Sequence, residues 1–152
     1  MYGKALTRIA DGESGLDQAV GHDLELVLTT PAAGLKPGNV VKARLLLHGK
    51  PFGGKDVEVT LGTLGAGPLA EDPQIQSHLW STSAAPHPKS GEVAFPLIAG
   101  GRHFLTVRYI DDTPGTYTGD RNDRSDFSHL QKGDTFERTM YTATFTVEVS
   151  ED

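Results

Sequence analysis

Apolar and polar residues alternate with period two in six stretches of this chain, and a β-strand is the element that sorts such alternation onto two faces. In the first stretch Leu24, Leu26 and Leu28 share a face, with Asp23 and Glu25 directed outward. In the second, Val41, Ala43, Leu45 and Leu47 oppose Lys42 and Arg44. The third sets Val57, Val59 and Leu61 against Asp56, Glu58 and Thr60, and the fourth carries Val93, Phe95 and Leu97. Leu105, Val107 and Tyr109 then alternate with Thr106 and Arg108. The last and longest places Tyr141, Ala143, Phe145, Val147 and Val149 opposite Thr142, Thr144, Thr146 and Glu148. A further, weaker strand is expected over residues 5–9.

Turn formers separate these runs. Lys36-Pro37-Gly38-Asn39 predicts a β-turn with proline at its second position and glycine free to take positive φ. Gly49-Lys50-Pro51 and Gly53-Gly54-Lys55 mark the next link, and Gly100-Gly101 predicts a tight hairpin between the fourth and fifth strands. The whole predicts an all-β fold: a two-sheet sandwich of the immunoglobulin or transthyretin (prealbumin) kind, with about seven strands and Greek-key connections. It is expected to be a single domain over residues 1–152. Two long segments, 62–91 and 111–139, interrupt the regularity, and each is expected to hold a short helical turn. In the first, Asp72 caps and Pro73 takes the first helical position over residues 72–79. In the second, over residues 125–132, Phe127 and Leu130 face inward and Gly133 stops the turn. Loops beyond about 12–15 residues are uncommon in compact domains and usually functional or mobile. A site is therefore sought there first.

Composition narrows the partners. The 152 residues include no cysteine, which removes thiolate metal sites, thiol nucleophiles and disulfides. A net charge of −6 without a basic stripe argues against nucleic acid and anionic lipid. No apolar run reaches the roughly 18 residues of a membrane span, so direct membrane insertion is not expected. The high content of glycine (18) and proline (9) agrees with a turn-rich β domain.

Candidate chemistry gathers near strand ends. His22 precedes the first strand, His103 opens the fifth, and Asp111 and Asp112 follow it, while His129 lies in the second long segment beside Asp120, Asp123 and Asp126. Strand ends of a sandwich meet at its rims, so His103, Asp111, Asp112 and His129 form the candidate metal set. Imidazole with carboxylate suits nickel, zinc or copper. No two histidines have a tight ligand spacing, and His78 and His87 are separated by a proline-rich stretch. The run from Gly119 to Asp126 resembles a calcium loop in composition but fails the EF-hand pattern at Arg124 and lacks a closing glutamate. It reads more simply as an exposed loop of Asx-turns. No nucleophile elbow occurs, and neighbouring carboxylates such as Asp111 and Asp112 point apart on an extended chain, so catalysis is not expected. Trp80, the single tryptophan, is a candidate sugar-stacking platform or, more simply, a cap over a sheet edge.

Three blocks carry a family resemblance: residues 21–28 (Gly-His-Asp-Leu-Glu-Leu-Val-Leu), 35–39 (Leu-Lys-Pro-Gly-Asn) and 49–59, beginning Gly-Lys-Pro-Phe-Gly-Gly-Lys. With residues 90–97, 101–104 and 141–147 they resemble, over roughly residues 20–149, a bacterial family of exported proteins of unknown function often labelled nickel-uptake or nickel-transport-associated. The resemblance implies a non-catalytic periplasmic or cell-envelope module, an association with nickel or another divalent metal, and a transporter or envelope protein as partner. Family members begin with a signal peptide and a further N-terminal β domain, so this chain is expected to be the C-terminal domain of a longer exported protein or a shortened relative. Its 111–139 segment is longer than the usual link to the final strand. A carbohydrate-binding or adhesion module using Trp80, and a purely structural spacer, are the alternative expectations.

Overall fold

The computed structural model describes residues 18–64, 81–118 and 131–150. These residues form ten strands and no helix: β1 (Leu24–Leu28), β2 (Val40–Leu47), β3 (Lys50–Pro51), β4 (Val59–Leu64), β5 (Ser81–Ala84), β6 (Glu92–Pro96), β7 (Gly101–Asp111), β8 (Gly115–Thr116), β9 (Thr135–Phe136) and β10 (Thr139–Val149). Every ladder is antiparallel. In the first sheet β2 pairs with β1 on one side and with β6 and β3 on the other. The second runs β10-β7-β4-β5. In immunoglobulin lettering, β1, β2 and β6 stand where strands A, B and E do, and β10, β7, β4 and β5 where G, F, C and C′ do. The helical turns expected at 72–79 and over most of 125–132, and the strand expected at 5–9, fall outside the described residues.

Alternation dictates the packing. Along β7 and β10 every second residue is buried, and the inner faces of the two sheets merge into one core that includes Leu26, Val41, Leu45, Phe95, Leu61, Leu105, Val107 and Phe145. Phe95 and Phe145 are its largest fully buried members, at 2% and 1% exposure. Truncating such a ring to alanine costs about 3–5 kcal/mol through lost burial and the cavity left behind.

The turns follow from their residues. Asn39 N–H donates to the Lys36 carbonyl at 3.0 Å, with Gly38 at φ 88°, as the Pro-Gly pair predicts. Between β2 and β3 the two turn residues are His48 (φ 50°) and Gly49 (φ 75°). Positive φ at both positions is the two-residue hairpin turn whose twist matches that of the flanking strands.

The structure corrects several expectations. Gly100-Gly101 is not a hairpin: β6 belongs to the first sheet and β7 to the second, so this link crosses the sandwich. The chain stays tied to the first sheet as far as Leu97, whose N–H donates to Asn39 O and whose carbonyl accepts from Gly38 N–H. Glu25 does not face solvent. It is 2% exposed, and its carboxylate accepts the N–H groups of Val20 and Gly21 at 2.8 and 3.2 Å as the chain before β1 folds back over it. Val57 is buried but precedes its strand, with its N–H donating to Gly54 O. The 111–139 segment is drawn together at its base. β8 and β9 pair, and just beyond them Tyr117 N–H donates to the Asp134 carbonyl while Gly133 N–H donates to the Tyr117 carbonyl.

Gly91 is a point of forced close approach. It has φ 68°, and a Cβ there would strike the Leu45 carbonyl oxygen and come within 3.0 and 3.1 Å of Phe52 N and O. Gly91→Ala is expected to lower unfolding free energy by roughly 2–3 kcal/mol, through strain and displaced backbone. A urea midpoint lowered at unchanged m-value is the measurement that checks it.

Candidate functional site

The residues first sought as metal ligands are kept apart by the strand that carries them. His103 lies near the start of β7 and Asp111 ends it. Eight residues of extended chain separate them by about 26 Å. His103 is fully buried on the inner face, opposite Val147 of β10 and Thr63 of β4. Asp111 and Asp112 sit at the opposite rim, where Arg138 approaches Asp112 at 3.8 Å. One ion cannot join His103 to the aspartates. His129 and Trp80 lie outside the described residues. Among the described residues no three histidine, aspartate or glutamate side chains converge on a metal position. His87 serves its own turn, its Nδ1 accepting the N–H groups of Lys89 and Ser90 at 3.3 Å.

The rim that holds Asp111 contains a cluster centred on His48, a residue with no ligand spacing to another histidine. The His48-Gly49 turn brings the imidazole Nδ1 to 3.3 Å from Asp23 Oδ1, while His48 N–H donates to the Asp23 carbonyl. The ring meets Tyr141 edge-on at 5.7 Å, Tyr141 stacks with Tyr109 at 6.2 Å, and Tyr109 meets Phe52 at 4.7 Å. Burial, then the charge of Asp111, raises the Tyr109 phenol above its ordinary value. The Thr113 side chain and then its N–H, at 3.0 Å, hold the Asp111 carboxyl down, with help from His48. Aromatic edges and short bonds tie this rim together, and its sequence signal was the Leu47-His48-Gly49-Lys50 turn.

A recess of a different kind opens on the outer face of the second sheet. It is an open groove of about 460 Å³, lined by Lys55, Asp56, Glu58, Thr60, Thr106 and Arg108. Register builds it: Thr60 of β4 stands opposite Thr106 of β7, which stands opposite Thr144 of β10. Ser83 of β5 completes the row. Thr60 and Ser83 hydroxyls are 2.8 Å apart, and those of Thr106 and Thr144 3.3 Å apart. A line of hydroxyls therefore crosses all four strands. Glu58 and Arg108 both line the recess, yet among the described residues neither makes an ion pair. Two residues along β7, Phe104 spreads its ring over Gly62, filling the space a Cβ there would take. A glycine in a strand gives an aromatic neighbour room to lie down on the sheet. Composition marks none of these residues. Their signal was the outward half of the alternation in the third, fifth and sixth stretches.

His103 itself is an internal polar group. A carbonyl can only accept, so the 3.2 Å contact of Nδ1 with Gly101 O places the proton on Nδ1. Nε2 is left as a bare acceptor, and among the described residues it meets no partner. Such an orphan costs about 1–3 kcal/mol. Burial lowers the imidazole below its ordinary 6.5, against the smaller opposing effects of the Gly101 bond and the Glu148 charge. The unfolded chain then binds more protons than the folded one between the folded value and 6.5, so stability falls as pH drops through that window. His103→Leu is expected to flatten this part of the stability–pH curve, measured by urea unfolding from neutral pH downward. Equal slopes in both proteins would show that His103 does not titrate there.

Comparison with known proteins adds one relationship. No curated protein matches the chain. The sequence profile of DUF4198, a domain of unknown function, matches residues 1–111. The match runs from the first residue to the end of β7, so the Tyr141–Val147 portion of the resemblance drawn from sequence lies beyond it. Because the profile covers well over half of its length, the chain belongs to the DUF4198 family.

Proposed function

We propose that the chain is a non-catalytic binding module of the bacterial cell envelope, and that its ligand lies on the outer face of the second sheet. The observation that carries this reading is the groove over the Ser83–Thr60–Thr106–Thr144 row. The recess is open and lined by polar and charged side chains, so it suits a ligand held by hydrogen bonds. The side chains of Lys55, Glu58 and Arg108 stand around it with hydrogen-bonding capacity to spare. Asp56 and Glu58 come from one short segment, two residues apart in sequence. The carboxyl pair of a glycosidase must instead flank the bond it cleaves, so the groove suits holding a ligand better than cleaving it. The envelope location and a transporter or other envelope protein as partner rest on the resemblance to exported proteins. The association with nickel rests on that resemblance alone.

Amide-resolved NMR of the whole chain is the test, with nickel(II) chloride, neutral oligosaccharides, acidic oligosaccharides and short peptides added in turn. One of these classes is expected to shift the resonances of Thr60, Thr106 and Arg108 while leaving the inner-face residues Leu105 and Val107 nearly unmoved. Silence at all three groove positions with every class would overturn the reading in favour of a spacer domain.

A further inference from the structure

We infer that the ligand of this groove is an uncharged saccharide, an inference that rests on the groove being a binding site. Three features of the lining converge on that chemistry. First, it contains two cations, Lys55 and Arg108, and two carboxylates, Asp56 and Glu58, and so carries no net charge. An anionic ligand meets the carboxylates, and a cationic one meets the lysine and arginine. A neutral ligand meets neither penalty.

Second, the lining offers all three kinds of hydrogen-bonding group. Lys55 and Arg108 only donate, Asp56 and Glu58 only accept, and the Thr60 hydroxyl can do either, while Thr106 Oγ1 donates to the Ala143 carbonyl at 3.4 Å and is left to accept. A ligand that satisfies all of them must itself donate and accept at closely spaced points. Sugar hydroxyls do so, each acting as donor and acceptor at once. The two threonines are held in place by their own partners, Thr60 by Ser83 at 2.8 Å and Thr106 by Thr144 at 3.3 Å. The floor is therefore set before the ligand arrives, which reduces the ordering cost of binding. No large apolar side chain lines the groove, so an acyl chain finds no partner there.

Third, an aromatic surface adjoins the hydroxyl row. Phe104 is two residues from Thr106 on the same face of β7, about 7 Å away along the strand. Its ring lies over Gly62 and stays partly exposed. A pyranose has one face of C–H groups that packs on an aromatic ring and an equator of hydroxyls that reaches sideways. A sugar unit seated on Phe104 has Thr106 as its nearest hydroxyl partner along β7, and a following unit is needed to reach Arg108, about 7 Å further along the strand.

The experiment is calorimetric titration of the whole chain with neutral glucan, mannan, galactan and chitin hexasaccharides, beside an oligogalacturonate hexamer and an uncharged hexapeptide. Thr106→Val, which keeps the shape and removes the hydroxyl, and Arg108→Ala are the main variants. Phe104→Leu is added where its melting temperature stays near that of the parent. At least one neutral hexasaccharide is expected to bind, and each variant to weaken it by roughly tenfold. Binding of only the acidic oligomer or the peptide, lost in the same variants, overturns the saccharide and leaves the groove as a binding site. Neutral hexasaccharides that all fail to bind also overturn it. Saccharide binding unchanged by Thr106→Val and Arg108→Ala overturns both the ligand class and the groove.

Discussion

Strand β7 is hydrogen-bonded along its length to β10 on one side and over six residues to β4 on the other, and the second sheet depends on that double pairing. A strand held in this way cannot slip by one residue without turning its whole buried set toward water. With Leu105 and Val107 committed to the core, period two leaves no choice for their neighbours. His103 is carried inward with them, and Phe104, Thr106 and Arg108 are carried outward. The orphaned imidazole nitrogen and the aromatic and hydroxyl elements of the groove are thus two faces of one constraint. The length of β7 also sets the distance between His103 and Asp111, and so the failure of those residues to form one site.

Alternation within a strand could be read from the sequence because it is a local property. Each of the six stretches contributes a strand, although Val57 and Leu97 lie just outside theirs, and most of their inward residues form the core, with Leu47 and Tyr109 partly buried against it. What the pattern could not supply was whether an outward face is covered. Glu25 sits at an outward position of β1, yet the chain before it folds back and two backbone N–H groups take up its carboxylate. Nor does a local pattern show which sheet a strand joins. A glycine pair after an apolar run suits a hairpin and a crossing between sheets equally well. The hydrogen bonds between Leu97 and the Gly38-Asn39 turn, far away in sequence, decide for the crossing.

The candidate site was legible in a weaker sense. Thr60, Thr106 and Arg108 were all identifiable as outward residues, but a groove is a relation among strands. It exists only once register sets Thr60 beside Thr106 and both beside Ser83 and Thr144. His103 misled for the opposite reason, since its residue type drew attention before its face on β7 was considered. Extending the alternation of Leu105 and Val107 back by one step already places His103 inside. His48 carried a turn signal rather than a ligand signal, and in the structure it joins the β2–β3 turn to the tyrosines of the second sheet.

The small β8–β9 ladder gives the molecule a form of modularity. Gly115 stands opposite Phe136 and Thr116 opposite Thr135, and the Phe136 ring fills the space beside Gly115. The chain between residues 118 and 131 therefore leaves and returns through two adjacent strands, whatever its own sequence. The entropic cost of closing such a loop grows only with the logarithm of its length, at about 0.6 kcal/mol per doubling. The clamp keeps that cost away from the β7–β10 ladder. Evolution can thus lengthen, shorten or rewrite this stretch while the sandwich beneath it stays unchanged, a freedom that the strand-bound groove residues do not share.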